Sequence, residues 1–184
     1  MLKLDAIWSP DNQQNYFRLL LDAMAHPGQC YSITVIPDEG PAALVVLSTL
    51  LDNEVTLSDP HAILCSNDWS MLQVKEALAE QADYIVCDGK QSPIFLPKLG
   101  TLPCPEQSAT LVLIVKELGS GDLQLHLEGP GIDGNRNLMI SGLNSDWLER
   151  REDWVSSFPL GVDLIIVDNK QLAAIPRTTK VEML

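Results

Sequence analysis

Two donor-rich stretches carry most of the chemistry this chain could perform. The first is Arg177-Thr178-Thr179-Lys180, two cations and two hydroxyls whose N–H and O–H groups could converge on an anion. The second is Gly129-Pro130-Gly131-Ile132-Asp133-Gly134-Asn135-Arg136. Its glycines permit positive φ and a close approach of backbone N–H groups to an oxyanion, and Arg136 adds charge. The anion- or ligand-binding candidates are therefore Gly129, Gly131, Arg136, Arg177, Thr178, Thr179 and Lys180. Each stretch also has a plainer reading: a solvated charge run after a strand in the first case, a tight turn in the second. The spacing G-x-G-x-x-G precedes an expected strand, whereas a dinucleotide-binding fingerprint needs strand, glycines and then helix, so that reading is rejected.

No catalytic constellation accompanies these donors. His126 lies on the wet face of an alternating strand with no Ser or Cys nucleophile signalled nearby, so an ordinary exposed histidine is the better reading. Cys30, Cys65, Cys87 and Cys104 form no C-x-x-C pair, and His26, His61 and His126 are dispersed, so no metal motif is expected. A net charge of −13 disfavours nucleic acid as a partner. That charge is uneven: residues 1–169 hold nine cations against 24 acids, while residues 170–184 hold three against one. A small anion would be tolerated chiefly near the C-terminal segment. The apolar runs stop short of a membrane span, and no export signal is visible at the N-terminus, which makes the cytoplasm the expected location.

The elements that must position these residues follow from periodicity. The length fits one α/β domain over residues 1–184. Val162 to Val167 is almost continuously apolar and β-branched, as in a strand covered on both faces. Asp168-Asn169-Lys170 turns the chain into a second strand, Leu172 to Ile175, which Pro176 ends. Upstream, Ser9-Pro10 starts an amphipathic helix carrying Phe17, Leu20, Leu21 and Met24, stopped at His26-Pro27-Gly28. Cys30 to Val35 reads as a short strand, Pro37 to Pro41 as a turn, and Ala42 to Leu51 as a buried helix. Glu54 to Ser58 and Asp83 to Cys87 read as strands flanking a helix that starts at Ser66 and carries Met71, Val74 and Leu78. Residues 90–106, with Pro93, Pro97, Pro103 and Pro105, form a crossing loop: an inert connection, a lid or a partner-binding segment. Thr110 to Lys116 is another buried strand. Gly119-Ser120-Gly121 then reads as a hairpin turn before the alternating Leu123, Leu125 and Leu127, and Asn144 to Asp146 caps a helix bearing Trp147, Leu148, Trp154 and Val155. This alternation implies an α/β layered fold on a mixed or parallel sheet.

Four segments taken together resemble a known family: Phe17 to Gly28, Leu125 to Ile132, Phe158-Pro159-Leu160-Gly161-Val162-Asp163-Leu164, and Ile175-Pro176-Arg177-Thr178-Thr179-Lys180-Val181-Glu182. They resemble the PhnH family, subunits of the bacterial carbon–phosphorus lyase system of phosphonate metabolism. The resemblance implies a three-layer α/β/α sandwich around a mixed sheet, similar to pyridoxal-phosphate-dependent transferases but without that cofactor. None of the seven lysines stands in a recognisable Schiff-base setting, so no cofactor is expected. The resemblance further implies a subunit, non-catalytic or co-catalytic, supporting formation of alpha-D-ribose 1-methylphosphonate 5-triphosphate from ATP and a phosphonate. The implied partners are PhnG, PhnI and PhnJ types, with a homodimer when isolated; Trp8, Trp69, Trp147 and Trp154 could supply apolar contacts or simply pack the core. The alternative is a stand-alone binding protein or transferase for a nucleotide or phosphonate.

Overall fold

The computed structural model describes residues 7–33 and 42–184; the expected turn at Pro37 to Pro41 lies outside them. Helix α1 (Pro10–Ala25) begins where Ser9 Oγ accepts the N–H of Asn12 and Pro10 fills the first helical position. It ends at His26, whose N–H reaches Asp22 O, followed by Gly28 at φ +74°. The buried face is Tyr16, Leu20 and Ala23, not the expected stripe: Phe17 and Leu21 are 50% and 53% exposed. Packing against the sheet and the next helix selects the narrower face.

The chain continues through β1 (Tyr31–Ser32) and α2 (Ala42–Leu50), which is buried nearly all round. Ser48 and Thr49 both donate their hydroxyls to Val45 O, which satisfies groups that would otherwise be costly inside. After β2 (Thr56–Ser58) comes α3 (Ser66–Leu72), with Asp68 accepting the N–H of Cys65. The expected continuation of this helix through Val74 and Leu78 does not occur. Gln73 turns left-handed at φ 52°, and Lys75 and Glu76 form β3 instead, parallel to β2.

Strands β4 (Tyr84–Asp88) and β5 (Thr110–Ile114) are parallel neighbours joined by the proline-rich loop, which holds a 3-10 turn at Pro105–Gln107 and an isolated antiparallel bridge between Leu99 and Ser108. The loop is nonetheless pinned. Ala109 N donates to Lys98 O, and Lys98 Nζ reaches Asp83 Oδ1 at 2.6 Å. Asp83 Oδ2 also accepts Thr56 N and Thr56 Oγ1.

Partial burial opposes ionisation of Asp83, yet Lys98 and the two Thr56 donors outweigh it and hold the carboxyl below its ordinary value. The unfolded chain therefore takes up this proton first as pH falls. The stabilisation is complete above about pH 4 and drains away below it. Asp83→Asn is expected to lose less of its urea midpoint than the wild type between neutral and strongly acidic pH. An equal loss in both proteins would mean that the carboxylate contributes nothing.

Gly119-Ser120-Gly121 is not a hairpin turn. It lies inside β6 (Glu117–Glu128), where Gly119 to Asp122 bulge out so that Leu118 and Leu123 both face Ile140 of β7 (Arg136–Ser141). Helix α4 (Asp146–Val155) then buries Trp147, Leu148, Arg151 and Trp154. Two of the four tryptophans therefore belong to the core. The chain closes with β8 (Asp163–Val167), β9 (Gln171–Ile175) and β10 (Lys180–Met183).

The seven-stranded sheet runs β1-β9-β8-β5-β4-β2-β3. It is parallel from β8 through β3 and antiparallel at β8-β9 and β9-β1. The Val162 to Val167 stretch thus lies inside the sheet, and Asp168 Oδ1 shapes its hairpin by accepting the N–H groups of Lys170 and Gln171. Side chains alternate between two cores: Leu164 and Ile166 join α4 and the small sheet, while Ile165 and Val167 join α1, α2 and α3. The small sheet, β10-β6-β7, is antiparallel. Asp168 Oδ2 accepts Leu118 N and ties the two sheets together.

Candidate functional site

The expected anion donors sit where the end of β9, the start of β10 and the 129–136 turn meet. Arg177 leaves β9 after Pro176, but its donors do not face open solvent. Its Nη2 meets Asp163 Oδ2 at 2.5 Å and also reaches Ser108 Oγ; its Nε reaches Asp163 Oδ1, and its backbone N–H donates to the same oxygen. Nη1 donates to Pro105 O and Pro159 O. The guanidinium thus spends its fork on one carboxylate and staples the proline-rich loop to the segment before β8.

Arg136, first residue of β7, donates Nη1 to His26 O and Pro27 O at 3.1 and 2.8 Å, clamping the end of α1. Gly131 lies against the same helix end, where a Cβ would stand 2.0 Å from Ala25 O. Gly129 lies under the next turn, where a Cβ would be 3.0 Å from Thr178 O. Lys180 is exposed and pairs with Glu182 at 3.0 Å, which raises its pKa. Thr178 is exposed and Thr179 is buried. Six of the seven residues are thus close in the fold through the β6-β7 turn and the start of β10, while the Arg177 guanidinium points to Asp163 and the loops. His126, also single out in the sequence, contacts Asn137 Oδ1 at 3.1 Å and Glu128 at 3.5 Å.

One residue escaped sequence reasoning. Arg151 is 3% exposed on α4, and the signal was available: it sits four residues after Trp147 and three before Trp154, inside a buried stripe at helical spacing. Its Nη2 donates to Pro176 O and Thr179 O at 2.6 and 2.9 Å. Burial pulls its pKa down to about 10, against support from Asp163 and Glu152, so it stays charged at neutral pH. A cavity of about 510 Å³ lies between α4 and β10, bordered by Arg151, Glu152, Thr179, Lys180 and Glu182 among others.

Among the described residues no group of three His, Cys, Asp or Glu side chains is placed to hold a metal ion, and no helix is long and apolar enough to cross a membrane. Cys87 is buried, and that burial pushes its thiol pKa far up, so it is no nucleophile.

The class defined so far is an α/β protein with a mixed sheet, an added three-stranded antiparallel sheet, and arginines that brace backbone. The chain belongs to the family described as bacterial phosphonate metabolism protein (PhnH), which matches residues 6–182. It is 39% identical over 177 residues, 96% of this chain and 89% of the relative, to a protein of Stutzerimonas stutzeri assigned as C-P lyase subunit protein HtxG. It is 30% identical over 180 residues, 92% of this chain and 90% of the relative, to the alpha-D-ribose 1-methylphosphonate 5-triphosphate synthase subunit PhnH of Rhizobium meliloti (strain 1021).

Proposed function

We propose that this chain is a carbon–phosphorus lyase subunit that supports formation of alpha-D-ribose 1-methylphosphonate 5-triphosphate from ATP and a phosphonate without performing the chemistry alone. The family match across residues 6–182 carries this reading, and the Rhizobium meliloti relative bears the name of that synthase subunit. The use of Arg136 and Arg177 as backbone braces supports it further, because these cations are occupied by the protein itself. In this reading residues 1–184 form one domain, a three-layer sandwich similar to pyridoxal-phosphate-dependent transferases but without the cofactor. It works in the cytoplasm beside PhnG-, PhnI- and PhnJ-type subunits and is a homodimer when isolated. The purified chain, given ATP and methylphosphonate, is expected to release no nucleobase, and to support release once the partner subunits are added. Turnover by the isolated chain would overturn the proposal.

A second reading, a binder of a nucleotide or phosphonate, is favoured by one observation: Thr179 and Lys180 border the cavity beside α4. In that reading Gly129, Gly131, Arg136, Arg177 and Thr178 shape the backbone around a ligand.

A further inference from the structure

The outer edge of β10 is an unfinished sheet edge that looks into the groove beside α4. In its ladder Lys180 faces Glu128, Val181 faces Leu127, Glu182 faces His126 and Met183 faces Leu125. Leu184 N bonds to Gln124 O, and bonded and non-bonded pairs alternate along an antiparallel ladder. The backbone of Lys180 and Glu182 is therefore spent on β6, while the N–H and C=O groups of Val181 and Met183 point outward. The preceding carbonyl in this outward series, Thr179 O, is taken by Arg151 Nη2 of α4 at 2.9 Å, which fixes the direction the edge faces. Beyond it, no described residue bonds to the outward groups of Val181 and Met183. Both residues border the cavity of about 510 Å³, together with Leu148 and Val155 of α4. An unpaired strand edge beside an apolar wall is a template for another strand.

We infer that this edge receives an extended segment of a protein partner, which adds antiparallel to β10 and carries an apolar, a basic and an apolar residue in succession. The pattern follows from the two faces of the strand. Val181 and Met183 share the face of Leu125 and Leu127, so residues opposite them turn toward Leu148 and Val155 in the groove. The residue between them meets Glu182, which shares the other face with Lys180, His126 and Glu128. Lys180 offsets one of the two acids there, and one negative charge is left for an incoming cation. Glu152 at the rim and a net charge of −13 add to the same sign. A second copy of β10 fits poorly. Two-fold pairing through both Val181 and Met183 sets two Glu182 side chains face to face, and like charges directly opposite destabilise a pair. Pairing that sets Lys180 against Glu182 would need Thr179, whose N–H is spent on Pro176 O and whose carbonyl is spent on Arg151. The inference deepens the subunit reading and rests on it for the existence of a protein partner. The two fail separately, because that reading is judged by turnover of the assembled subunits and the edge by binding of a peptide.

The test is fluorescence anisotropy of a labelled short peptide of alternating valine and lysine, titrated with the full chain at fixed ionic strength. One control peptide alternates valine and glutamate; the other keeps the valine and lysine composition but sets its valines consecutively. Saturable binding of the alternating lysine peptide is expected, roughly tenfold or more tighter than that of either control. Val181→Pro removes an outward N–H and no bond to β6, so it should keep its fold by circular dichroism and weaken binding roughly tenfold or more. Glu182→Lys should shift the preference toward the glutamate peptide. Should Val181→Pro fail to fold, Glu182→Lys decides: a shifted preference supports the edge, and an unchanged one overturns it. No saturable binding of the alternating lysine peptide, equal affinity for the consecutive isomer, or wild-type affinity in a folded Val181→Pro would each overturn the inference. So would a change in the chain's own oligomeric state on Val181→Pro, read by light scattering, because β10 would then pair with a second copy.

Discussion

Arg177→Ala is expected to destabilise the protein by about 3–5 kcal/mol, the range for removing one partner of a largely buried ion pair. Three consequences add up at this position. Asp163, with little water around it, loses the Nε and Nη2 donors that compensated it and keeps only the backbone N–H of residue 177. Pro105 O, Pro159 O and Ser108 Oγ lose their donors. The proline-rich loop is released from the segment that feeds β8, leaving Gly161 N to Leu99 O as a remaining tie. Arg177→Lys should recover less than half of the loss, because a single ammonium cannot span a carboxylate and two carbonyls on different segments. Urea unfolding of Arg177→Ala, Asp163→Asn and the double variant should show coupling of roughly 1–3 kcal/mol between the two sites. A loss for Arg177→Ala under about 1 kcal/mol, the ordinary value of an exposed pair, would mean that the guanidinium is free for a ligand after all.

The parts of the fold that were legible in the sequence are those where one local rule acts alone. The β8-β9 hairpin could be read because its strands are apolar on both faces and Asp168 supplies its own turn bonds. The start of α1 could be read because Ser9-Pro10 is a complete cap. Errors came where two rules competed. Gly119 and Gly121 look like a hairpin turn, but pairing with Ile140 on both sides keeps the chain within one strand and the glycines become a bulge. The stretch from Ser66 to Leu78 carries apolar spacing suited to one long helix, yet β2 offers an open edge, and Lys75 and Glu76 pair with it instead. The tertiary gain overrode the periodicity.

The candidate site was half legible for a related reason. Residue type shows that Arg136 and Arg177 can donate; it does not show which acceptors the fold will bring to them. Their acceptors lie at His26, Pro27, Pro105 and Asp163, mostly far away in the chain. Arg151 shows the converse. Nothing in its immediate neighbours Arg150 and Glu152 marks it, but its place in a tryptophan stripe puts a charge into the core, where the carbonyl oxygens of Pro176 and Thr179 accept its hydrogen bonds.

Gly131→Ala is the second large effect, and it separates two uses of a glycine. Gly131 and Gly134 both have positive φ, +83° and +72°, so an alanine at either costs about 1–2 kcal/mol in backbone strain. They differ in surroundings. A Cβ at Gly134 would meet nothing within 4 Å, whereas one at Gly131 would stand 2.0 Å from Ala25 O and 3.0 Å from the Pro27 ring. Both neighbours are held in place, since Arg136 grips the carbonyls of His26 and Pro27 and Gly28 N bonds to Ala174 O. The clash must therefore part the 129–136 turn from α1, at a further cost of about 1–3 kcal/mol. Thermal unfolding should show Gly131→Ala well below Gly134→Ala. If instead the two variants melt together, Gly131 is not there for packing, and a role in presenting its N–H to an anion becomes the better account.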